Sequence, residues 1–513
     1  MLMSAADCRE SLRAFRPRVF LNGESVESVA DEPRLAPGIA AIGVTYDFAR
    51  RPELARLMTA MEAGTGATVN RMMYVNRDTN DLLSKLEAVR LLCQESGCAQ
   101  RYLNHDAFNG IFQASHRADA EHGTDYHARF VAYMREAQAK DLTLAVAMTD
   151  GKGGRSLKPH AQANPDVYTH IVERRVDGIV ISGVKAIVTG AAYVHGFLVM
   201  PCRAMTREDA DFAVCCGVPA DADGVTIVTR PAGRPGHPGA KFSSRYGQAT
   251  GVIVFDRVFV PHARVFLAGE WEQAGFLAQT YASHHRHSCI AARAGFGDLL
   301  IGAGALMTEA NGPDFDDHAH MREAMVELIK IVEGFYACGV AASVYGAADA
   351  LGAVMPDIVF ANVGKLLLAG QIYDMHRLAH YVSGGLVVAL PGPDEDHDPA
   401  TAASLSALLG GRADVPYDKR IEVVRLIEDL TASETGGWYS VISLHGGGSP
   451  EAMKREIWRT YNLGDKVDLV ERLLDRGVLA DADRTITRNR QPGRCCVRGC
   501  APETDGLAKA AAE

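Results

Sequence analysis

Ala145-Val-Ala-Met-Thr-Asp-Gly-Lys-Gly-Gly-Arg-Ser156 and Gly183-Val-Lys-Ala-Ile-Val-Thr-Gly190 flank Ile171-Val-Glu-Arg-Arg-Val-Asp-Gly-Ile-Val-Ile181, and this stretch decides the fold. Its middle part sets two apolar, β-branched runs on either side of Asp177-Gly178, the pattern of a hairpin closed by a tight turn. Strand ends then carry two loops, one with three glycines, Lys152, Arg155 and Ser156, the other with Lys185 and Thr189 before Gly190. Glycines let backbone N–H groups approach a ligand, and hydroxyls can bond a phosphate or the edge of a heterocycle. The spacing suits a ligand cradle and a plain polar turn equally.

Outward from this stretch, the periodicity divides the 513 residues into three parts and a tail. Ser4 to Phe15 has the pattern of a short amphipathic helix, and Asn22-Gly23 divides the apolar runs of a hairpin over 17–26. Residues 50–140 read as mostly helical, with Leu82, Leu83, Leu86, Val89, Leu91 and Leu92 near the helical period. Within them Cys93 to Asp106 is a polar interruption between apolar faces, whose groups must find partners inside or face a cavity. From 141 to 270 the runs Phe197–Met200, Ala213–Val218, Val225–Val228 and Gly251–Pro261 have the strand pattern. The Pro- and Gly-rich segment Arg230–Ala240 reads as a surface loop or lid. After 270 the helical period returns, with Met325, Leu328, Ile329, Ile331, Val332, Phe335, Tyr336, Val340 and Val344 predicted on a buried stripe. The expected units are a mainly helical domain over 1–140, a central β domain over 141–270, a helical bundle over 271–485 and a tail over 486–513.

Composition excludes several functions. A net charge of −10 without a basic cluster argues against nucleic acid as the main partner. No run of apolar residues reaches the ~18 needed to cross a bilayer, and Met1 to Asp7 lacks the regions of a signal peptide. A cytoplasmic protein with reduced thiols is expected, since eleven scattered cysteines do not suit a disulfide framework. No Gly-x-Gly-x-x-Gly fingerprint follows a strand and opens a helix, so no nicotinamide site is expected.

The order helices, small β domain, helical bundle resembles the acyl-CoA dehydrogenase architecture, an α+β fold with a central β-barrel domain. Asp106-Ala-Phe-Asn109, Ala147-Met-Thr-Asp150, Asp177-Gly-Ile-Val180, His285-Arg286 and Leu444-His-Gly-Gly-Gly-Ser-Pro450 resemble the 4-hydroxyphenylacetate 3-hydroxylase family, most closely its 4-hydroxybutyryl-CoA dehydratase branch. The resemblance implies FAD between the β domain and the bundle of a homotetramer. It places Met148, Thr149, Lys152 and Ser156 along the cofactor, Thr189 and Gly190 at the pyrimidine edge, and His445 and Gly446 on the approach from the bundle.

The departures bear on the reaction. That branch holds an iron–sulfur cluster through Cys-x3-Cys and His-x6-Cys, and here the four positions read Cys98, Tyr102, His285 and Ala292. Two donors are missing, so no metal is expected. Its acid/base pair is also replaced, by Ile442 and Cys289. The chemistry that remains by resemblance is oxygenation of a small organic substrate through a flavin hydroperoxide, with FADH2 supplied by a separate reductase. A cluster-free acyl-CoA dehydratase or isomerase is the alternative. The polar candidates near the pocket are Tyr102, His105, His284, His285 and His287, with His285, Tyr102 and His105 taken as the catalytic set and a solvent-facing or core imidazole the favoured reading of His284 and His287. The family's phenol-binding positions carry Leu103, Ala107 and Val146, which does not suit a simple phenol.

Overall fold

The computed structural model describes residues 2–312 and 318–474, so the expected tail over 486–513 lies outside the described residues. Helix α1 (Ala5–Arg13) is capped by Ser4, whose hydroxyl and backbone exchange hydrogen bonds with Asp7 in a capping box. It is followed by strands β1 (Val19–Leu21) and β2 (Glu24–Val26), with Asn22 and Gly23 both at positive φ in the turn, as the Asn-Gly pair requires. Helices α2 (Ala36–Ala49), α3 (Thr79–Ser96), α4 (Tyr102–His122) and α5 (Tyr126–Ala139) complete the N-terminal part.

The strands that follow are β3 (Leu144–Ala147), β4 (His170–Arg174), β5 (Gly178–Thr189), β6 (Gly196–Val199), β7 (Val214–Pro219), β8 (Val225–Thr229), β9 (Thr250–Pro261) and β10 (Val265–Ala268). Together with β1 and β2 they form a six-stranded sheet in the order β2-β1-β8-β9-β5-β4 and a four-stranded sheet in the order β10-β7-β6-β3. The predicted hairpin across Asp177-Gly178 is β4–β5, antiparallel with Arg174 opposite Ile179. The N-terminal hairpin extends the larger sheet through a parallel β1–β8 pairing, so the β layer draws on the first thirty residues as well. One continuous apolar core, including Phe197, Ile227, Phe255 and Phe266, lies between the sheets and continues under α1, α4 and α5.

The bundle is built around α6 (Trp271–Asn311), which packs against α3, α4, α7 (Ala319–Val344), α8 (Ile358–Val382) and α9 (Tyr417–Thr431). This helix is long and apolar enough to cross a membrane by length and composition, although no such run is evident in the sequence, but its apolar window is 67% buried by its neighbours. Its small residues let helices cross closely: a Cβ on Gly295 would lie 2.3 Å from the Arg90 carbonyl of α3. The predicted stripe on α7 is buried at Met325, Leu328, Ile331, Val332 and Phe335, whereas Ile329 and Val344 face outward. Those two fall off the 3.6-residue face that α6 and α8 cover. Helix α10 (Glu434–His445) meets the β domain, where Trp438 donates to Thr250 of β9 at 2.9 Å, and α11 (Pro450–Thr460) packs on α8.

The Arg230–Ala240 segment is not a free lid. Arg234 donates to Glu428 at 2.8 Å and to Asp429, while the fully buried Asp429 accepts from the backbone N–H groups of Phe242 at 2.9 Å and Ser243 at 2.7 Å. A carboxylate buried on α9 thus fixes the loop to the bundle. Replacing it leaves a half-buried guanidinium and two amides short of an acceptor, so Asp429→Ala is expected to cost about 3 kcal/mol, read as a lowered thermal midpoint and faster proteolysis within 230–245.

Candidate active site

The seam between β domain and bundle holds a small cavity of about 40 Å³. Its walls come from the turn before α4 and its first residues (Cys98, Gln100, Tyr102, Leu103), the end of β5 (Thr189), α6 (His285, Cys289, Arg293), α8 (Lys365, Leu368) and α10 with its exit (Trp438, Ile442, Ser443, Gly446). The polar interruption read in Cys93 to Asp106 is this wall. It turns inward because Gly97, at φ +66°, ends α3 in a conformation a side chain resists and leaves room for the Tyr439 hydroxyl, 2.3 Å from where a Cβ would stand.

Asp106 organises the titratable groups behind the cavity. Its buried carboxylate accepts from Ser288 Oγ at 2.6 Å, faces His285 Nδ1 at 3.1 Å, and has Lys85 Nζ 3.7 Å away. Burial alone would raise its pKa, but Lys85 and the two neighbouring histidines hold it well below the ordinary carboxylate range. His285 in turn presents Nε2 to Cys289 Sγ at 3.5 Å, one turn along α6. Burial would lower the imidazole, yet Cys289 and Asp106 outweigh it and raise it to about 9. The thiol moves the other way: burial pushes it up, and His285 with Lys365 and Arg293 brings it below its usual value. An Asp–His–Cys relay therefore ends in the cavity, with Nδ1 fixed toward the carboxylate and Nε2 toward the sulfur. The His285 ring lies between Tyr281, at 5.4 Å, and Tyr102, at 6.1 Å, in near-parallel stacks.

Of the sequence-predicted residues, the structure brings His285, Tyr102, Thr189 and Gly446 to the cavity. It does not bring His105. That ring is buried on the other side of Asp106, bonded through Nε2 to Asn76 at 3.0 Å, and burial lowers its pKa to about 4. His105 and His285 project from different helices to opposite sides of one carboxylate, a relation that spacing in the chain does not reveal. His284 and His287 lie outside the cavity lining, facing Gln113 at 3.4 Å and Ser343 at 2.8 Å respectively. Met148 and Thr149 leave β3 outside the cavity, their carbonyls accepting from Lys185 Nζ and the Ala186 amide, while Lys152 and Ser156 are exposed on the glycine loop. His445 is exposed at the end of α10. Gly190 acts indirectly: a Cβ there would stand 1.9 Å from the Gln100 amide oxygen.

That amide is the functional residue the sequence reading missed. Gln100 is fully buried, and neither its Oε1 nor its Nε2 has a partner. An orphaned buried amide is costly, and its adjacent acceptor and donor match the alternating carbonyl and N–H edge of a flavin pyrimidine. With the Thr189 hydroxyl on the same wall, the residues fit FAD. They do not fit an iron–sulfur cluster, because Tyr102 and Ala292 stand where two thiolates are needed and the Tyr102 ring is stacked on His285. Among the described residues no three His, Cys, Asp or Glu side chains are arranged to hold a metal.

Helical bundle, two-sheet β layer and a cavity at their seam define an acyl-CoA dehydrogenase-like α+β protein. Family models for the 4-hydroxyphenylacetate 3-hydroxylase N-terminal and C-terminal regions match residues 5–267 and 274–475. The chain belongs to that family. It is 35% identical over 486 residues to a 4-hydroxybutyryl-CoA dehydratase/vinylacetyl-CoA-Δ-isomerase of Clostridium aminobutyricum, covering 92% of this chain and 99% of the relative. It is 33% identical, at a TM-score of 0.89, to the structure of an oxygen-tolerant archaeal 4-hydroxybutyryl-CoA dehydratase from N. maritimus, covering 96% and 97% of the two chains. The oxygenase component of 4-hydroxyphenylacetate 3-monooxygenase in complex with FAD shares the fold at 21% identity and a TM-score of 0.81, covering 92% of this chain and 98% of the other. The relatives are enzymes, and so is this chain.

Two outcomes follow for the site. Asp106→Asn removes the charge opposite His285, so the imidazole midpoint near 9 should fall by about one unit or more in NMR titrations. The stability gained from the raised His285 pKa is present below its unfolded value of about 6.5 and is lost as pH rises through about 9. Gln100→Ala should weaken FAD binding by roughly tenfold in fluorescence titrations, with the thermal midpoint of the FAD-free protein unchanged or raised.

Proposed function

We propose that this enzyme is a flavin-dependent monooxygenase that oxygenates a small organic substrate, taking FADH2 from a separate reductase and working as a homotetramer. The observation that carries the reading is the donor set beside the cofactor site, where Tyr102 and Ala292 replace two cluster thiolates while Gln100 and Thr189 still suit a flavin. When bound in its reduced form, FAD supplies the two electrons that let dioxygen deliver one atom to the substrate and one to water. The protein's own part is to hold and shield. Gln100 and Thr189 would bond the ring edge, and Leu103, Leu368, Trp438 and Ile442 keep bulk water from the reacting atoms. His285, oriented by Asp106, can give a proton from Nε2 or take one from the substrate, and Cys289 holds the second position of that exchange. The curated oxygenase components, 23% identical in Thermus thermophilus and 26% in Geobacillus, support the reading at the level of the family.

A second reading, a cluster-free dehydratase or double-bond isomerase acting on an acyl-CoA, is favoured by the 35% identical relative and by the same relay, since moving a double bond needs one group that removes a proton and one that returns it. Oxygen separates the two. Mixed with aerated buffer, protein carrying reduced FAD is expected to regain the oxidised spectrum more slowly than free FADH2, with a persistent intermediate absorbance. Reoxidation as fast as that of free flavin, together with anaerobic turnover of 4-hydroxybutyryl-CoA, would reverse the assignment in favour of the dehydratase.

A further inference from the structure

Eight lysine and arginine side chains are buried among the described residues: Arg71, Lys85, Arg101, Lys185, Arg286, Arg293, Lys365 and Arg425. Five have a carboxylate partner, namely Arg71 with Asp81 at 3.4 Å, Lys85 with Asp106 at 3.7 Å, Lys185 with Asp150 at 2.7 Å, Arg425 with Asp396 at 2.7 Å, and Arg101 with Asp141. The fold therefore neutralises buried cations as physics demands. The three exceptions gather at one place. Arg293 and Lys365 line the cavity, and Arg286 braces the turn beside it through the Gly447 carbonyl at 2.8 Å.

What holds Lys365 and Arg293 is neutral, whereas Arg286 also lies within the field of the Glu456 carboxylate. Lys365 is fully buried, and its Nζ donates to the Ser443 carbonyl at 2.5 Å. Arg293 is 4% exposed, donates to the Gly97 carbonyl at 3.3 Å and lies over the Tyr439 ring at 5.2 Å. Arg286 is satisfied by Gly447 and by Asn362 Oδ1 at 2.7 Å. Cys289 on the same wall supplies at most one negative charge, and His285 at 3.5 Å shares it. A cavity wall with this excess of buried positive charge calls for an anion from outside the chain.

We infer that the substrate enters as a free acid whose carboxylate is held by Lys365 and Arg293. A thioester carries no charge at its acyl carbonyl and would leave both cations unmatched, whereas a carboxylate accepts from an ammonium and a guanidinium together. The cavity, about 40 Å³ in volume, has room for such a group. The same chemistry has a second source, since a reduced flavin is itself an anion once it loses its N1 proton. The inference assigns the cations to the substrate and rests on the flavin-binding reading of the cavity.

The test uses full-length protein loaded with oxidised FAD and needs no oxygen, reductase or turnover, so its failure leaves the oxygen-reactivity result standing, and the converse holds. Butyrate and benzoate are titrated against butyramide, benzamide and butyryl-CoA, read by the perturbation of the flavin spectrum and by calorimetry. Both acids should bind at least roughly tenfold more tightly than their amides. Lys365→Gln and Arg293→Gln should each cost the acids about that factor and leave amide affinity unchanged. In the ligand-free state Lys365→Met should keep or raise the thermal midpoint, because it removes an unmatched buried charge, and butyrate should raise the midpoint of the parent alone. The inference is overturned if acids and amides bind alike or not at all at millimolar concentration. It is also overturned if butyryl-CoA binds more tightly than butyrate in parent and variant, if the glutamine variants lose FAD, or if Lys365→Met lowers the ligand-free midpoint.

Discussion

A single buried carboxylate, Asp106, sets the geometry on which the site depends. Taken out of water it demands donors from every side, and it finds them on three helices: Lys85 from α3, Ser288 and His285 from α6, with His105 from its own helix 3.6 Å away. Because those donors cannot be satisfied separately, the crossing of α3, α4 and α6 is fixed by charge as well as by apolar packing. The same carboxylate sorts the histidines. His285 faces it from the cavity side and is held protonated to about 9, while His105, with Lys85 nearby and no solvent, falls to about 4. One interaction therefore builds the bundle and chooses which imidazole carries a proton into the seam.

The β layer contributes through close approach. Gly190 is required because the Gln100 amide passes where its side chain would be, and the amide's two unmatched atoms are the clearest trace of a planar polar ligand. The glycine loop over 151–154, which the sequence let stand as cradle or plain polar turn alike, lies outside the cavity and exposed. Glycines announce that backbone is free to turn, not that a ligand is there, and three within four residues suit an exposed connection equally well.

How far the sequence carries is set by contact range. Local rules place the hairpins at Asn22-Gly23 and Asp177-Gly178 and the change of period at each end of the β layer, because each depends on neighbours a few residues away. His285 and Tyr102 are legible through the family's motifs. Gln100, Arg293 and Lys365 are not, because their meaning lies in what they lack. An amide without a partner and a cation without a carboxylate are properties of the assembled interior. A signal was present for the first of them: Cys93 to Asp106 is a polar run between apolar faces, and such a run must face either partners or a cavity.

The positions where the resemblance expects cluster donors share one neighbourhood with His285. Tyr102 stacks its ring on His285, where a thiolate would have reached toward a metal, and Cys289 stands one helical turn from His285, so that the imidazole gains an acid–base neighbour on its own helix. With a carboxylate facing one ring nitrogen and a thiol facing the other, the histidine is placed to exchange a proton. The wall that contains Arg293 and Lys365 also holds Ile442, which carries no charge. On the reading proposed above, such a wall takes its anion from what it binds, which ties the choice of substrate to the residues that set the chemistry.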